Sequence, residues 1–179
     1  KIVTTKKILA PYQIQMICML AEKYMIPIHR VLGIFLTRPI LTRLEHKNYE
    51  QLEEKLSISN ENWSGKFHIT QEWVVTPELV ESYVNWPTIV ILPDDFAIMP
   101  YREYLKNQEW ILFVGNDMTD TRKAQAWIDI SNGVFSTIYW TRKILYYNLS
   151  QYKNIIYIED SLGPNYWHYP IRIHYNDIL

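Results

Sequence analysis

The sequence predicts an α+β protein: a helical, basic N-terminal head followed by a small α/β region. Three observations predict it. The stretch Tyr12–Lys47 carries apolar residues at helical spacing, interrupted at Met25-Ile26-Pro27 and again at Thr37-Arg38-Pro39. Further on, Thr88-Ile89-Val90-Ile91-Leu92 and Trp110-Ile111-Leu112-Phe113-Val114 are continuous apolar runs, as strands buried on both faces read, and helical stretches lie between and after them. Charge is divided as well. Residues 1–56 hold 9 Lys+Arg against 5 Asp+Glu, a balance of +4, whereas residues 57–179 hold 9 against 14, a balance of −5. A net charge of −1 excludes a uniformly basic coat for nucleic acid, so any polyanion contact is expected from the N-terminal third.

With 48% apolar residues among 179, the chain has enough material for a sizeable core, in one domain or two small ones. The 14 Tyr and 7 Trp suit a core rich in large rings, or a stacking surface. Cys18 is the only cysteine, which excludes an intrachain disulfide and a cysteine-based zinc site. Its place beside Ile17 predicts a buried thiol. No run approaches the ~18 apolar residues of a membrane span, and no leader pattern is visible. A cytoplasmic protein without a membrane partner is expected.

Taken in order, Ile14, Ile17, Cys18 and Leu20-Ala21 mark the apolar face of a first helix, which Pro27 stops because proline cannot continue the hydrogen-bond ladder. A second short helix runs from Ile28 to Phe35. Thr37 caps a third, with Pro39 in its first turn. That third helix is expected to turn Ile40, Leu41 and Leu44 inward, with Leu44 against the first helix near Ile17. Arg38, Thr42, Arg43 and Lys47 face outward. Three short helices with a tight turn before a basic one form a helix-turn-helix pattern. Glu50–Leu56 has both helix formers and a strand-like alternation; Lys66–Trp73 alternates as a strand after the turn-rich Ser57–Gly65. A hairpin over these residues is the favoured reading. Thr76-Pro77-Glu78 opens a helix to Trp86, where Asn85-Trp86-Pro87 divides residues 1–86 from 87–179. In the second part, a short helix is expected at Tyr101–Asn107. A long helical segment follows from Asp120 to Tyr147, broken near Asn132-Gly133, with further strands at Asn154–Ile158 and Ile171–Tyr175. The two apolar runs are expected to be neighbouring strands.

The order helix, helix, basic helix, hairpin, helix over Tyr12–Trp86 resembles a winged helix-turn-helix DNA-binding domain. Together with Leu92-Pro93-Asp94-Asp95-Phe96-Ala97-Ile98 at the start of the α/β region, it is similar to the replication-relaxation type of plasmid and mobile-element proteins. The resemblance implies binding of double-stranded DNA at replication, transfer or transcription loci, with a nuclease-like second part that often lacks complete catalytic residues. Such a site needs an acid after the proline and an acid-x-lysine on a neighbouring strand, to hold a divalent ion and support an attacking water. Asp94 or Asp95 fits the first position. Asp117 is followed two residues on by Thr119 rather than lysine, and Lys123 stands six away, so the second half is missing. Three carboxylates brought together at the strand ends would raise the pKa of at least one unless a cation joined them.

The five histidines show no H-E-x-x-H spacing, and there is no P-loop, dinucleotide-binding glycine pattern or nucleophile elbow. No catalytic residue, metal ligand or cofactor is therefore assigned. The residues expected to touch DNA are Arg38, Thr42, Arg43 and Lys47 on the third helix, and Lys66 beside the hairpin turn. A homodimer or a protein partner is the other class expected. The rival readings are a protein–protein adaptor using the head for contacts, and a metal-dependent nuclease using Asp94, Asp95 and Asp117.

Overall fold

Thr88–Leu92 (β1) is buried at every position, so it must lie inside a sheet covered on both faces. The computed structural model, which describes residues 8–46, 75–106 and 108–158 and the backbone of 166–167 and 173–174, shows this. Helices are α1 (Pro11–Lys23), α2 (Ile28–Phe35), α3 (Arg38–His46), α4 (Pro77–Glu81), α5 (Ile98–Tyr104) and α6 (Asp120–Ser131). The strands β1, β2 (Ile111–Phe113), β3 (Thr137–Thr141) and β4 (Asn154–Tyr157) form one parallel sheet in the order β2-β3-β1-β4. The protein is thus a mixed α and β fold around a four-stranded parallel sheet. Short strands β5 (Tyr166–Trp167) and β6 (Ile173–His174) pair antiparallel with each other.

Several local signals act as expected. The chain leaves α1 at Tyr24, with Met25 at φ 51, and Pro27 precedes α2. Thr76 caps α4, its hydroxyl accepting from Leu79 N at 3.3 Å; Thr119, not singled out in the sequence, caps α6 in the same way. The helix after Thr76 is shorter than expected and ends at Glu81, and the helix expected from Tyr101 begins at Ile98.

The long helical segment expected to Tyr147 is corrected. Gly133, at φ 64, ends α6 in the left-handed conformation that glycine adopts without Cβ strain. The chain then re-enters the sheet as β3, followed by a 3-10 turn at Arg142–Tyr146. Thr137-Ile138-Tyr139-Trp140-Thr141 consists wholly of β-branched and aromatic residues, which prefer a pleated surface. Because β3 pairs with both β1 and β2, those two strands are not neighbours, which is a second correction. Ile173–His174 is likewise outside the main sheet.

Alternating residues build two cores. Ile89 and Ile91 of β1 and Ile138 and Trp140 of β3 pack with α1, α2, α6 and the 3-10 turn, through Ile17, Leu20, Val31, Phe35, Ala126 and Ile130 among others. Val90, Leu92 and Tyr139 point the opposite way, onto α4 and α5 through Val80, Ile98, Tyr101 and Leu105. The two crossovers β1–α5–β2 and β2–α6–β3 lie on opposite faces and run in opposite lateral directions, so they share one hand. A third cluster joins Ile40 and Leu44 of α3 to Ala124, Trp127 and Ile128 of α6.

The first helix is rotated from its expected register. Its buried stripe is Gln13, Ile17 and Leu20, while Ile14 is about half exposed and Cys18 is exposed rather than buried. The register follows from tethers at the helix start. The Gln13 side chain accepts from Ala10 N at 2.9 Å and donates to the Tyr146 carbonyl at 3.0 Å. The Tyr12 hydroxyl accepts from Leu149 N at 2.7 Å and donates to the Tyr147 carbonyl at 3.0 Å. Burial pushes the Tyr12 phenol up to about 12, opposed by the Leu149 N–H.

Candidate functional site

The sequence-derived site lies on α3. Proline in the first turn and a backbone bond from Leu41 N to the Thr37 carbonyl start the helix, and Ile40 and Leu44 anchor its inner side. Leu44 is buried as expected, but against α6 rather than near Ile17, because α3 docks on α6 while Ile17 belongs to the sheet core. Leu41 is only partly buried.

The outward residues divide into two kinds. Arg38 and Thr42 are exposed and one turn apart, so they share an arc of the helix. Arg43 is half-buried and turned toward α6, where its guanidinium donates to Gln125 Oε1, with Nε at 2.8 Å and Nη2 at 2.5 Å. Gln125 Nε2 in turn donates to Asp129 Oδ1 at 2.6 Å. Arg43 therefore holds α3 in place as well as carrying charge. Lys47, Lys66 and the hairpin expected over residues 50–73 lie outside the described residues.

The acids singled out in the sequence lie at the carboxyl ends of parallel strands, where α/β sheets commonly bind ligands. They do not form one cluster. Asp94 follows β1 and its Oδ1 accepts from Ala97 N at 2.9 Å, closing a turn into α5. Asp117 follows β2, two strands away across β3, which corresponds to about 10 Å between strand axes. Arg102 of α5 reaches the Asp117 carboxylate at 2.7 Å. The Arg102 hydrogen bond, aided by its charge, holds Asp117 below the usual carboxylate range, opposite to the raised value expected for crowded acids. A cation from the chain itself thus joins this carboxylate. Among the described residues, no group of three His, Cys, Asp or Glu side chains is placed to hold a metal ion.

Two arginines missed by sequence reasoning define this edge. Arg102 also lies over the Phe113 ring, 5.9 Å from its centroid. Arg142, just past β3, is 3% exposed; its Nε donates to the Tyr157 hydroxyl at 3.0 Å, and its guanidinium lies over the Tyr157 ring. No spacing rule identifies either, since each meets its partner through the sheet order. Beneath the edge, the Tyr139 hydroxyl donates to Glu81 and its ring stacks on Phe113. Burial, then the Glu81 bond and charge, raise the Tyr139 pKa, and burial with the Glu78 and Glu81 charges pushes Tyr101 up to about 12. Both phenols stay protonated at neutral pH and serve as donors or packing groups rather than bases. No helix among the described residues is long and apolar enough to cross a membrane. No family model matches the chain, and no curated protein is similar to it at a significant level.

Proposed function

We propose that the protein binds duplex DNA through the outward side of α3, as a regulator or accessory factor of replication, transfer or transcription. The observation that carries this reading is the exposed pair Arg38 and Thr42 on a helix whose other side is fixed to α6 by Ile40, Leu44 and Arg43. A rigidly backed helix presenting an arginine and a hydroxyl one turn apart suits phosphate and base-edge contacts. The basic balance of residues 1–56 adds a favourable field. No catalytic role is assigned, since Asp117 is engaged by Arg102 and stands two strands from Asp94.

Fluorescence anisotropy with a labelled genomic duplex tests the reading. Affinity is expected to fall steeply as salt rises from about 50 to 200 mM, since cations on the protein displace counterions. Arg38→Ala is expected to cost roughly 1–3 kcal/mol of binding with the fold intact. Unchanged affinity in Arg38→Ala/Thr42→Ala sinks the assignment.

A second reading, a protein–protein adaptor, is favoured by one observation. Ile14, Met25, Ile28 and Leu32 of the α1–α2 segment are exposed apolar residues, from 37% to 94% accessible. Partner binding that ignores salt supports this reading over the first.

A further inference from the structure

The apolar seam between α3 and α6 does not by itself fix the roll of α3. Ile40 and Leu44 stand one turn apart, in a single row, against Ala124, Trp127 and Ile128. Apolar burial is non-directional, so a helix seated along one row can roll about it at little cost. The roll decides whether Arg38 and Thr42 face outward, as they do. A directional contact at the edge of the seam sets it. Arg43 donates to Gln125 Oε1 through Nε at 2.8 Å and through Nη2 at 2.5 Å.

That contact requires Gln125 to present its oxygen. A primary amide fits nearly the same space in two orientations, which exchange its oxygen and nitrogen. The reverse orientation would set Nε2 against the guanidinium, donor against donor. The choice is made at the other end of the amide. Gln125 Nε2 donates to Asp129 Oδ1 at 2.6 Å, from a position one turn away on the same side of α6. An ionised carboxylate only accepts, so it takes the nitrogen and turns the oxygen to Arg43. Gln125 and Asp129 are both half-buried, which limits competition from water.

We infer that Asp129 and Gln125 are positioning residues of the DNA-contacting helix. Asp129 orients the amide of Gln125, Gln125 orients Arg43, and Arg43 sets the roll of α3 that presents Arg38 and Thr42. The effect on DNA rests on the reading of α3 proposed above, whereas the relay is a property of the free protein.

Two measurements on the full chain test this relay. The first is solvent exchange of the Arg43 Nε–H in the free protein, read by NMR. Asp129→Asn replaces a pure acceptor with a group that also donates, so both orientations of Gln125 become available. Exchange is expected to quicken roughly three- to tenfold, the worth of one hydrogen bond. The second is affinity for the labelled duplex. Asp129→Asn removes a negative charge, which by itself would tighten binding to a polyanion. Through the relay it is expected to weaken binding about threefold instead. Gln125→Glu/Asp129→Asn keeps the net charge and restores the order of donors and acceptors, since the new amide donates to the new carboxylate and that carboxylate accepts from Arg43. Both readouts are expected to recover in it, a non-additivity that independent sites would not show. Should Asp129→Asn not fold, Gln125→Met, which keeps the volume and deletes both bonds, is read in the same two ways. Arg43 exchange equal to wild type in these single variants overturns the relay, whatever the duplex shows. If Arg38→Ala weakens duplex binding but Asp129→Asn leaves it unchanged or tighter, the positioning role is overturned. If Arg38→Ala has no effect, the DNA reading falls, and the exchange measurement alone decides the relay.

Discussion

The α1–α2 pair and α3 follow one another in sequence but dock on different partners. The pair lies on the sheet, with Ile17, Leu20, Val31 and Phe35 among the strand residues of the main core. The third helix lies on α6, through Ile40 and Leu44 against Ala124, Trp127 and Ile128. Their polar residues differ in the same way. Gln13 of α1 is buried and bonds backbone groups at both of its ends, whereas Arg43 of α3 is half-buried and bonds another side chain. The difference teaches that a helix's neighbours in sequence need not supply its hydrophobic partner. Here α6 is covered on two sides, by the sheet and by α3, which accounts for the burial of Ala124, Ala126, Trp127, Ile128 and Ile130 along it.

The comparison breaks first at Leu44. Leu44→Ala is expected to cost on the order of 2–5 kcal/mol, because its cavity opens against Trp127 and Ile128 rather than solvent. A denaturant midpoint shift measures it. Near-zero loss would mean that α3 is not seated on α6.

Arg43 sharpens it. Arg43→Ala removes a charged donor from Gln125 and is expected to cost about 1 kcal/mol of stability. Arg38→Ala, at an exposed site, is expected to leave stability within about 0.5 kcal/mol. Measuring stability and DNA affinity on both variants separates anchor from contact. Equal stability losses would remove the distinction drawn between the two arginines.

The smallest effect lies at the sheet edge, away from both helical regions. The folded-state pKa of Asp117 is depressed by Arg102, so the pair contributes stability that is present above the unfolded carboxyl value, near pH 4, and lost as pH falls through the lower folded value. The carboxylate is 61% exposed, so solvent screening keeps the contribution below about 1 kcal/mol. Asp117→Asn should flatten that part of the pH–stability curve. An unaltered curve would show that the ion pair is not populated in solution.

Much of the fold is legible residue by residue. Pro27 and Thr76 act locally, through a missing N–H and a capping hydroxyl, and each sits at the helix boundary it signals. The all-apolar character of Ile89–Leu92 reveals burial on both faces. The segment Thr137–Thr141 was harder to read because a short run of large apolar residues suits a buried helix as well as a strand. Its β-branched and aromatic content was the signal, and Gly133 the punctuation. Once β3 is missed, β1 and β2 appear to be neighbours and Asp94 and Asp117 appear to converge. The candidate site was legible only on its open side. Arg38 and Thr42 are exposed, but the turn of Arg43 toward Gln125, 82 residues away, has no local signature.

By itself the sequence determined the three N-terminal helices and the breaks between them, the buried strand Thr88–Leu92, and that the N-terminal third is the basic part. Those properties depend on propensity, caps, periodicity and charge, which act over a few residues. Tertiary structure alone decided the strand order, the partner of α3, the rotation of α1 about Gln13 and the pairing of Asp117 with Arg102. These depend on contacts between distant residues. A helix with an apolar stripe gains nearly the same burial energy against any complementary surface, so its own residues do not specify which surface it meets.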